Sequence, residues 1–211
     1  MHIRVASRKS PLALKQVEEI FRGLPHLTYS LTAIDTMGDL DKLTSLRTLE
    51  KTDFFTRELD ALLLAGAADI AIHSAKDLPD PLPQGLEVIA LTACIDPRDS
   101  LVFKTMLPEN PLVATSSKRR EEAVLELIKK ARFCDIRGTI SERLEALGKD
   151  VDAVVIAEAA LIRLNLTHLS RFYLPGETAA CQGQLAVVAR TDHQILHPLF
   201  SPIDVRSLHR A

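Results

Sequence analysis

Strand-like and helix-like runs alternate along most of this 211-residue chain. The apolar segments IRVAS (3–7), ADIAIHS (68–74) and VDAVVIA (151–157) have the length and composition of buried strands. Helical patterns of apolar residues separate such runs, for example from Pro11 onward and over 118–130. Strands that alternate with helices of this length predict an α/β fold with largely parallel sheets.

The segment in the middle of the chain predicts that the protein folds into two lobes. The extended, proline-containing segment IDPRDSLVF (95–103) joins two α/β regions. We expect a return crossing near 188–192, which would bring the end of the chain back to the first region. We therefore expect residues 1–94 plus 190–211 to form lobe 1, and residues 95–189 to form lobe 2.

Composition excludes several classes of protein. A net charge of −2 does not suit a protein that binds polyanions along its whole surface. Three cysteines without a close pair give no disulfide framework, and no second histidine is spaced to form a metal site with His73. No apolar run reaches about 18 residues, so we expect neither a signal peptide nor a membrane span, and a cytoplasmic location.

Arginine lies at the first predicted strand-to-helix turn, SRKSPLALKQ. Ser10 is a candidate N-cap and Pro11 a candidate first helical residue, which leaves Arg8 just outside the helix. In parallel α/β sheets such turns lie at the carboxyl ends of the strands, where ligands bind. A capped helix beside a solvated arginine is the alternative interpretation.

A second turn, ATSSKRREE, repeats the pattern with more charge. The strand ends at Thr115, Ser116 or Ser117 caps the next helix, and the first helical turn holds Lys118, Arg119 and Arg120. Cations at a helix N-terminus each cost about 0.3–1 kcal/mol. We expect a bound carboxylate or phosphate to supply the missing negative charge. A solvated basic patch is the alternative.

The third turn, DIRGTISERL, places Arg137 at a strand end and Gly138 at a position that permits an unusual backbone angle. Ser141 is the candidate cap of the next helix, and Arg143 lies in its first turn. Guanidinium groups pair bidentately with carboxylates. Three such turns that converge on one cleft predict a ligand with several carboxylates.

The segment HSAKDLPDP supplies a candidate catalytic group. Lys76 and Asp77 fall where a strand gives way to a proline-rich loop. A carboxylate there could stabilise a positive centre or transfer a proton, although an ordinary surface ion pair is the alternative. We expect His73 to be structural. Neither a Walker loop nor a GxGxxG motif occurs.

Together these segments resemble the hydroxymethylbilane synthase (porphobilinogen deaminase) family. The matching stretches follow family order to about residue 190: IRVASRKSPLALKQ, TMGD, FFTRELDALLL, ADIAIHSAKDLPDPLPQGL, DPRDSLVF, VATSSKRRE, IRGTISERL, VDAVVIAEAALIRLNL and QGQLAVVAR. The resemblance implies two lobes like those of periplasmic binding proteins, with the active site in the cleft between them. It also implies condensation of porphobilinogen into a linear tetrapyrrole, with release of ammonia.

The resemblance further implies roles for residues at the three turns and in the segment HSAKDLPDP. Asp77 would be catalytic, and a dipyrromethane cofactor, thioether-linked to a cysteine in the family, would start the growing chain. The residues expected to bind substrate carboxylates are Arg8, Ser10, Lys76, Arg119, Arg120, Arg137 and Arg143. Those expected to bind the cofactor are Arg8, Ser10, Lys76, Thr115, Ser116, Ser117, Arg119 and Arg120.

Three departures from the family pattern stand out. We expect the family's third domain, with its cofactor cysteine, to be absent, because no segment of residues 1–211 matches it, and the glycine-rich loop of many members corresponds to EKTD (50–53). Met37 and Thr139 stand where arginine and asparagine are usual. Cys181, just before Gln182 and Gly183, is a hypothetical substitute anchor, and a buried structural thiol is the alternative.

Two functions remain open at this point. The first is an active transferase of tetrapyrrole biosynthesis, expected to be a monomer that binds neither nucleic acid nor a membrane. The second is a non-catalytic, two-lobed protein that binds a polycarboxylate or tetrapyrrole. A nucleic-acid binder is disfavoured because the chain has two tyrosines and no tryptophan to stack on bases.

Overall fold

The computed structural model describes residues 1–45, 47 and 53–207. The chain divides into two compact units. Unit 1 comprises Met1–Leu40, Lys51–Ile95 and Gly183–Ala211, and unit 2 comprises Asp41–Glu50 and Asp96–Gln182. None of the helices in the described residues is long and apolar enough to cross a membrane.

Unit 1 is built on one five-stranded sheet with helices around it. Its elements are β1 (His2–Arg8), α1 (Pro11–Arg22), β2 (Thr28–Ile34), α2 (Met37–Leu40), α3 (Arg57–Leu64), β3 (Ile70–Ser74), β4 (Leu86–Leu91), β10 (Leu185–Arg190) and α7 (Leu196–Phe200). The strand order is β2-β1-β3-β10-β4. Short 3₁₀ turns lie at Asp53–Phe55, Ala75–Asp77 and Ser201–Ile203.

Unit 2 contains a second five-stranded sheet, with the order β7-β6-β8-β5-β9. Its elements are β5 (Asp99–Phe103), β6 (Leu112–Ala114), α4 (Lys118–Leu127), β7 (Arg132–Cys134), α5 (Ile140–Glu145), β8 (Ala153–Ala157), α6 (Glu158–Arg163) and β9 (Arg171–Tyr173). The predicted α/β class is confirmed in both units.

The sheets are less parallel than the sequence pattern suggested. β1 pairs in parallel with β2 and β3, but β10 runs antiparallel to both β3 and β4. In unit 2, β6 pairs in parallel with β7 and β8, whereas β5 runs antiparallel to β8 and β9. These antiparallel strands, β10 and β5, are each the first strand after the chain passes from one unit to the other.

The chain returns to unit 1 at Gly183, earlier than the boundary predicted at 189/190. The reason is the position of β10, which lies between β3 and β4 and hydrogen-bonds to both. Its residues from Leu185 to Ala189 are buried. Similarly, β5 was predicted as part of a connecting segment, yet all five of its residues pair with β8.

Each sheet is covered by apolar helix faces. In unit 1, Val17 and Ile20 of α1 pack in one cluster with Ile3 and Ile72, and Leu59 of α3 packs in another with Ala71. Burial on both faces explains why the strands read as continuous apolar runs. In unit 2 a separate cluster joins β5, β6 and β8 to α4; its members include Leu101, Val113, Val124 and Val155.

Helix α3 offers a direct test of this packing. Leu59 is fully buried, whereas Leu64 on the same helix is 49% exposed. Leu59→Ala should lower the free energy of unfolding by about 2–5 kcal/mol because it leaves a cavity. Leu64→Ala, the matched control, should change it by less than about 0.5 kcal/mol. Urea titration of both variants measures the difference; equal effects would contradict the described orientation of α3.

Candidate active site

A polar recess opens on unit 1 at the carboxyl ends of β1 and β3. It encloses about 430 Å³ including its open mouth. Its lining includes both charged and uncharged polar groups, among them Arg8, Ser10, Gln16, His73, Ser74 and Asp77. Because β1 and β3 are parallel neighbours, the residues that follow them lie at the same edge of the sheet.

Helix α1 begins beside this recess as the sequence predicted. Ser10 is the N-cap and its Oγ accepts a hydrogen bond of 3.2 Å from the Ala13 amide, while Pro11 is the first helical residue. Both predictions are confirmed. The cap fixes the direction in which the chain leaves β1, and therefore the position of Arg8 at the strand end.

Arg8 is held by Asp39, a partner that the sequence analysis did not identify. Its Nε donates to Asp39 Oδ2 at 3.0 Å, and the Thr36 amide and hydroxyl also donate to that carboxylate. Burial alone would raise the pKa of Asp39, but these partners, Arg8 first, lower it. The Arg8 guanidinium also lies 4.5 Å from the centre of the Phe55 ring.

Asp77 and His73 face the same recess with different exposures. Asp77 ends the 3₁₀ turn after β3, is exposed, and forms no ion pair with the described residues. Lys76 beside it is half-buried. His73 is buried within β3, and burial, with Arg8 as a smaller influence, lowers its pKa to about 4. His73 is therefore neutral at about pH 7.

Two arginines of unit 2 share one buried carboxylate. The side chain of Asp99, at the start of β5, is 2% exposed and accepts from Arg119 Nη2 at 2.7 Å and from Arg120 Nη2 at 2.6 Å. Gln182 Nε2 donates to the same carboxylate at 3.0 Å. Burial alone would raise the pKa of Asp99, but Arg120 and Arg119 outweigh burial and lower it.

This arrangement changes the interpretation of the TSSKRR turn. We expected a bound ligand to supply the negative charge that the first turn of α4 needs, but Asp99 supplies part of it. Two guanidinium groups on one carboxylate leave one positive charge in excess, and Lys118 precedes them as the first residue of α4. Because Asp99 is twenty positions before Arg119, the local sequence did not reveal the pairing.

The hydroxyl groups of this turn have separate partners. Ser117 occupies the N-cap position of α4, but its side chain makes no capping hydrogen bond. Ser116 Oγ instead lies within hydrogen-bond distance of two acceptors, the Ile136 carbonyl at 2.8 Å and the Asp135 carboxylate, which share its one proton. It also accepts a hydrogen bond of 3.1 Å from the Ile136 amide. Thr115 is buried, and its Oγ1 has no hydrogen-bond partner among the described residues. The Ser116 contacts tie the turn after β6 to the turn after β7.

The third turn is capped differently from the prediction. Thr139, not Ser141, is the N-cap of α5; its hydroxyl accepts from the Glu142 amide while the Glu142 carboxylate accepts from the Thr139 amide. Ser141 lies inside the helix because Gly138, with φ of +97°, completes the turn earlier than expected. The T-x-x-E spacing was the readable signal of this capping box.

The arginines of this turn bind backbone carbonyl groups. Arg137 Nη2 donates to the Asp41 carbonyl at 2.8 Å, and Arg143 Nε donates to the Gly138 carbonyl at 2.9 Å. Lys42, one residue after Asp41, pairs with Glu142. These contacts place residues 41 and 42 over the turn that follows β7.

Arg47 was also missed by the sequence analysis. Its Nη2 donates to the Thr115 carbonyl at 3.2 Å and pairs with Glu121 of α4. The EKTD segment (50–53), which corresponds to the glycine-rich loop of many family members, lies outside the described residues, except for Asp53, which begins a 3₁₀ turn.

The cysteines and acidic groups provide no metal site within the described ranges. Cys94 and Cys181 are exposed, and Cys181 has a positive φ of 58°. Cys134 is partly buried, and burial raises the pKa of its thiol. Cys181 is therefore not the buried structural thiol that we weighed as the alternative.

The structure thus brings the predicted residues together in two groups. Arg8, Ser10 and Asp77 line one recess in unit 1. In unit 2, the residues after β6 and β7 meet through Ser116, while Arg119 and Arg120 meet on Asp99. That these groups share one cleft stays a prediction.

Asp99 generates a prediction about stability and pH. Because its folded-state pKa is lowered, it stabilises the fold above its unfolded pKa near 3.9, and this contribution is lost as the pH falls through the folded pKa. Asp99→Asn should cost about 3–5 kcal/mol at about pH 7, since it leaves two guanidinium groups without their carboxylate. The cost should shrink below about pH 4.

Asp192→Asn is the control, because Asp192 pairs with Arg190 on the surface and its side chain is 78% exposed. That change should cost less than about 1 kcal/mol. Urea titrations of the three proteins across this pH range measure the effect. A cost for Asp99→Asn no larger than for Asp192→Asn would contradict the pairing.

Solved structures support the fold. An amino acid ABC transporter substrate-binding protein from Streptococcus pneumoniae matches 99% of this chain and 88% of its own length, with a TM-score of 0.52 and 14% identity. The reduced regulatory domain of OxyR2 from Vibrio vulnificus matches 96% and 94%, with a TM-score of 0.53 and 17% identity. At these identities the likeness shows the fold alone, and it confirms the predicted resemblance to periplasmic binding proteins.

Sequence comparisons show the family. A probable porphobilinogen deaminase of Chlamydia pneumoniae is 40% identical over 97% of this chain and 91% of its own length, and one of Chlamydia muridarum is 43% identical over 89% and 81%. The porphobilinogen deaminase of Legionella pneumophila is 34% identical over 98% of the chain and 72% of its own length.

The family model that matches residues 3–197 is described as porphobilinogen deaminase, dipyromethane cofactor binding domain. The match includes every residue of both groups described above. This chain belongs to the porphobilinogen deaminase family.

Proposed function

We propose that this chain is a transferase of tetrapyrrole biosynthesis that condenses porphobilinogen into linear hydroxymethylbilane and releases ammonia. Family membership supports the reaction class. The structural observation behind the proposal is the exposed Asp77 carboxylate, which lines one recess together with Arg8 and Ser10. An exposed acidic group beside donors for carboxylates suits a substrate that is anionic at its edges and becomes cationic at its centre.

Asp77 is the proposed catalytic residue. When the carbon–nitrogen bond of the aminomethyl group breaks, ammonia leaves and the remaining methylene-pyrrole is positively charged. A carboxylate close to the ring stabilises that charge by electrostatic attraction. The new carbon–carbon bond to the next pyrrole then releases one proton from the attacked ring carbon. The Asp77 carboxylate can accept that proton, because it lies at the open side of the recess.

Carboxylate binding is assigned to the three turns and to Lys76 after β3. In unit 1, the Arg8 Nε and Nη2 groups face Asp39, which leaves Nη1 without a protein acceptor among the described residues. Ser10 accepts from Ala13, so its own proton can be donated to a ligand. The remaining assigned binding residues are Lys76, Thr115, Ser116, Ser117, Arg119, Arg120, Arg137 and Arg143.

The donor set of the described residues fits a dipyrromethane. Acetate and propionate groups need guanidinium and hydroxyl donors, and the buried Thr115 hydroxyl without a partner adds one more. When bound, this cofactor supplies the pyrrole carbon to which the first substrate is joined. Arg8, Ser10 and Lys76 in unit 1, and the Thr115–Arg120 turn in unit 2, would hold its carboxylates.

The expectations of a monomer, of a cytoplasmic location, and of no nucleic-acid or membrane partner stay predictions. The net charge of −2 and the pairing of Arg119 and Arg120 with Asp99 support a local anion site rather than an extended basic face.

Asp77→Asn tests the catalytic assignment. The amide keeps the shape of the side chain but cannot carry the negative charge, so ammonia release from porphobilinogen should fall about a hundredfold or more. Asp80→Asn removes a second exposed carboxylate of the same loop that does not line the recess, and it should retain wild-type turnover. Equal rates for wild type and Asp77→Asn would exclude this role.

Covalent attachment of the cofactor is tested by intact-mass measurement. Our hypothesis is that the exposed Cys181 is the anchor, since its thiol is accessible to a pyrrole methylene. Protein made in a haem-competent host should then exceed its sequence mass by one dipyrromethane. Cys181→Ser should lose this increment and Cys134→Ser should keep it. An unmodified wild-type mass, or an increment that survives Cys181→Ser, would remove the hypothesis.

A further inference from the structure

His73 is a buried polar residue of the recess that the proposed chemistry has not used. It belongs to β3, is 5% exposed, and lines the recess with Arg8, Ser10 and Asp77. Its Nε2 is buried and has no hydrogen-bond partner in the described structure. Leaving such a nitrogen unsatisfied costs on the order of 1–3 kcal/mol. A group that fills the recess could remove this cost.

The polar groups around His73 indicate the chemistry of a ligand group that would fill the recess. Gln16 donates to Ser74 Oγ at 2.8 Å, so the serine hydroxyl keeps its own proton for a ligand. Ser10 is in the same situation, because its oxygen accepts from Ala13. The inner lining of the recess therefore presents hydroxyl protons beside the Arg8 guanidinium. Such a set of donors is complementary to a carboxylate oxygen.

His73 is uncharged and can act as a neutral hydrogen-bond donor. Burial and the nearby Arg8 cation both disfavour the imidazolium, so the ring is neutral at about pH 7. A neutral imidazole has one N–H group and one lone pair. The Arg8 cation repels cationic groups of a ligand and attracts anionic ones. The acceptor for the His73 N–H group is therefore expected to be an anionic oxygen.

We propose that His73 is a further substrate-binding residue, whose Nε2–H donates a hydrogen bond to a side-chain carboxylate of the pyrrole held by Arg8 and Ser10. This inference rests on the proposed function and deepens it by assigning one carboxylate contact to an uncharged residue. It also explains why a nitrogen is buried at this position without a protein partner.

Two substitutions separate binding from structure. His73→Gln places an amide N–H near the position of Nε2, whereas His73→Leu removes every donor. The dissociation constant for porphobilinogen, measured calorimetrically in the Asp77→Asn background to prevent turnover, should rise about tenfold to a hundredfold in His73→Leu. It should stay within about threefold in His73→Gln. In the presence of Asp77, KM should rise and kcat should change little.

The free energy of unfolding of His73→Leu distinguishes a binding role of His73 from a purely structural one, because the two roles predict changes of opposite sign. Because His73→Leu removes an unsatisfied buried nitrogen, the free energy of unfolding should stay constant or increase. A structural role predicts a loss of stability with unchanged affinity in the properly folded fraction. Retained affinity in His73→Leu would overturn the proposal.

The wild-type protein gives an independent test that needs no stable variant. In nitrogen-15 correlation spectra of the imidazole groups, Nε2 of His73 should be protonated, and its resonance should shift when porphobilinogen is added. An unprotonated Nε2 in the complex, or a resonance that ignores saturating porphobilinogen, would refute the assignment. The signal is identified by its absence in His73→Gln.

The proposed function and the proposed role of His73 are contradicted by different results. If wild type binds porphobilinogen and releases ammonia but His73→Leu behaves like wild type, only the role of His73 is wrong. If wild type neither binds porphobilinogen nor releases ammonia, the proposed function fails and the role of His73 fails with it.

Discussion

The buried Asp99 carboxylate orders the part of unit 2 to which we assign anion binding. A carboxylate with so little exposure would cost several kcal/mol if it were unpaired. Arg119 and Arg120 of α4 and Gln182 before β10 supply its donors. One residue thus connects the start of β5, the first turn of α4 and the segment that leads to β10. The TSSKRR turn keeps its geometry because the Asp99 carboxylate neutralises part of its positive charge.

Arg8 follows the same principle in unit 1. Asp39 orients its guanidinium through Nε and Nη2, and Thr36 holds Asp39 in turn. In both units an acidic residue from elsewhere in the chain fixes the position of the arginine. Positioning by a fixed carboxylate reduces the entropy that a long side chain would lose when a ligand binds. The Arg8 guanidinium is therefore held at the recess by contacts within the protein itself.

Much of the fold could be predicted because apolar periodicity is a local property. β1, β3 and β8 appear as short apolar runs, and the Ser10 cap with Pro11 marked the start of α1 correctly. The strand directions could not be predicted in this way, since β5 and β10 look like any other buried run. Their antiparallel pairing depends on where the chain crosses between units, which no local pattern records.

The sequence predicted which residue types occur in the candidate site, but it did not predict the acidic residues that hold the arginines. Arginines at strand-to-helix turns were visible, as was Asp77, but Asp39 and Asp99 lie far in sequence from the arginines they hold. Ser141 was expected to be the cap, although the T-x-x-E spacing that starts at Thr139 was present. His73 was interpreted as structural because a single histidine gives no spacing signal, and only burial without a partner distinguishes it.

The central claim is that this chain joins porphobilinogen units and expels ammonia at each joining. The most direct measurement is the stoichiometry of the reaction, with ammonium and acid-oxidised porphyrin quantified from the same incubation of the purified protein with porphobilinogen. The account predicts one ammonium for each porphobilinogen consumed and a porphyrin that accounts for the consumed pyrrole. Saturable binding of porphobilinogen without any ammonium would contradict it.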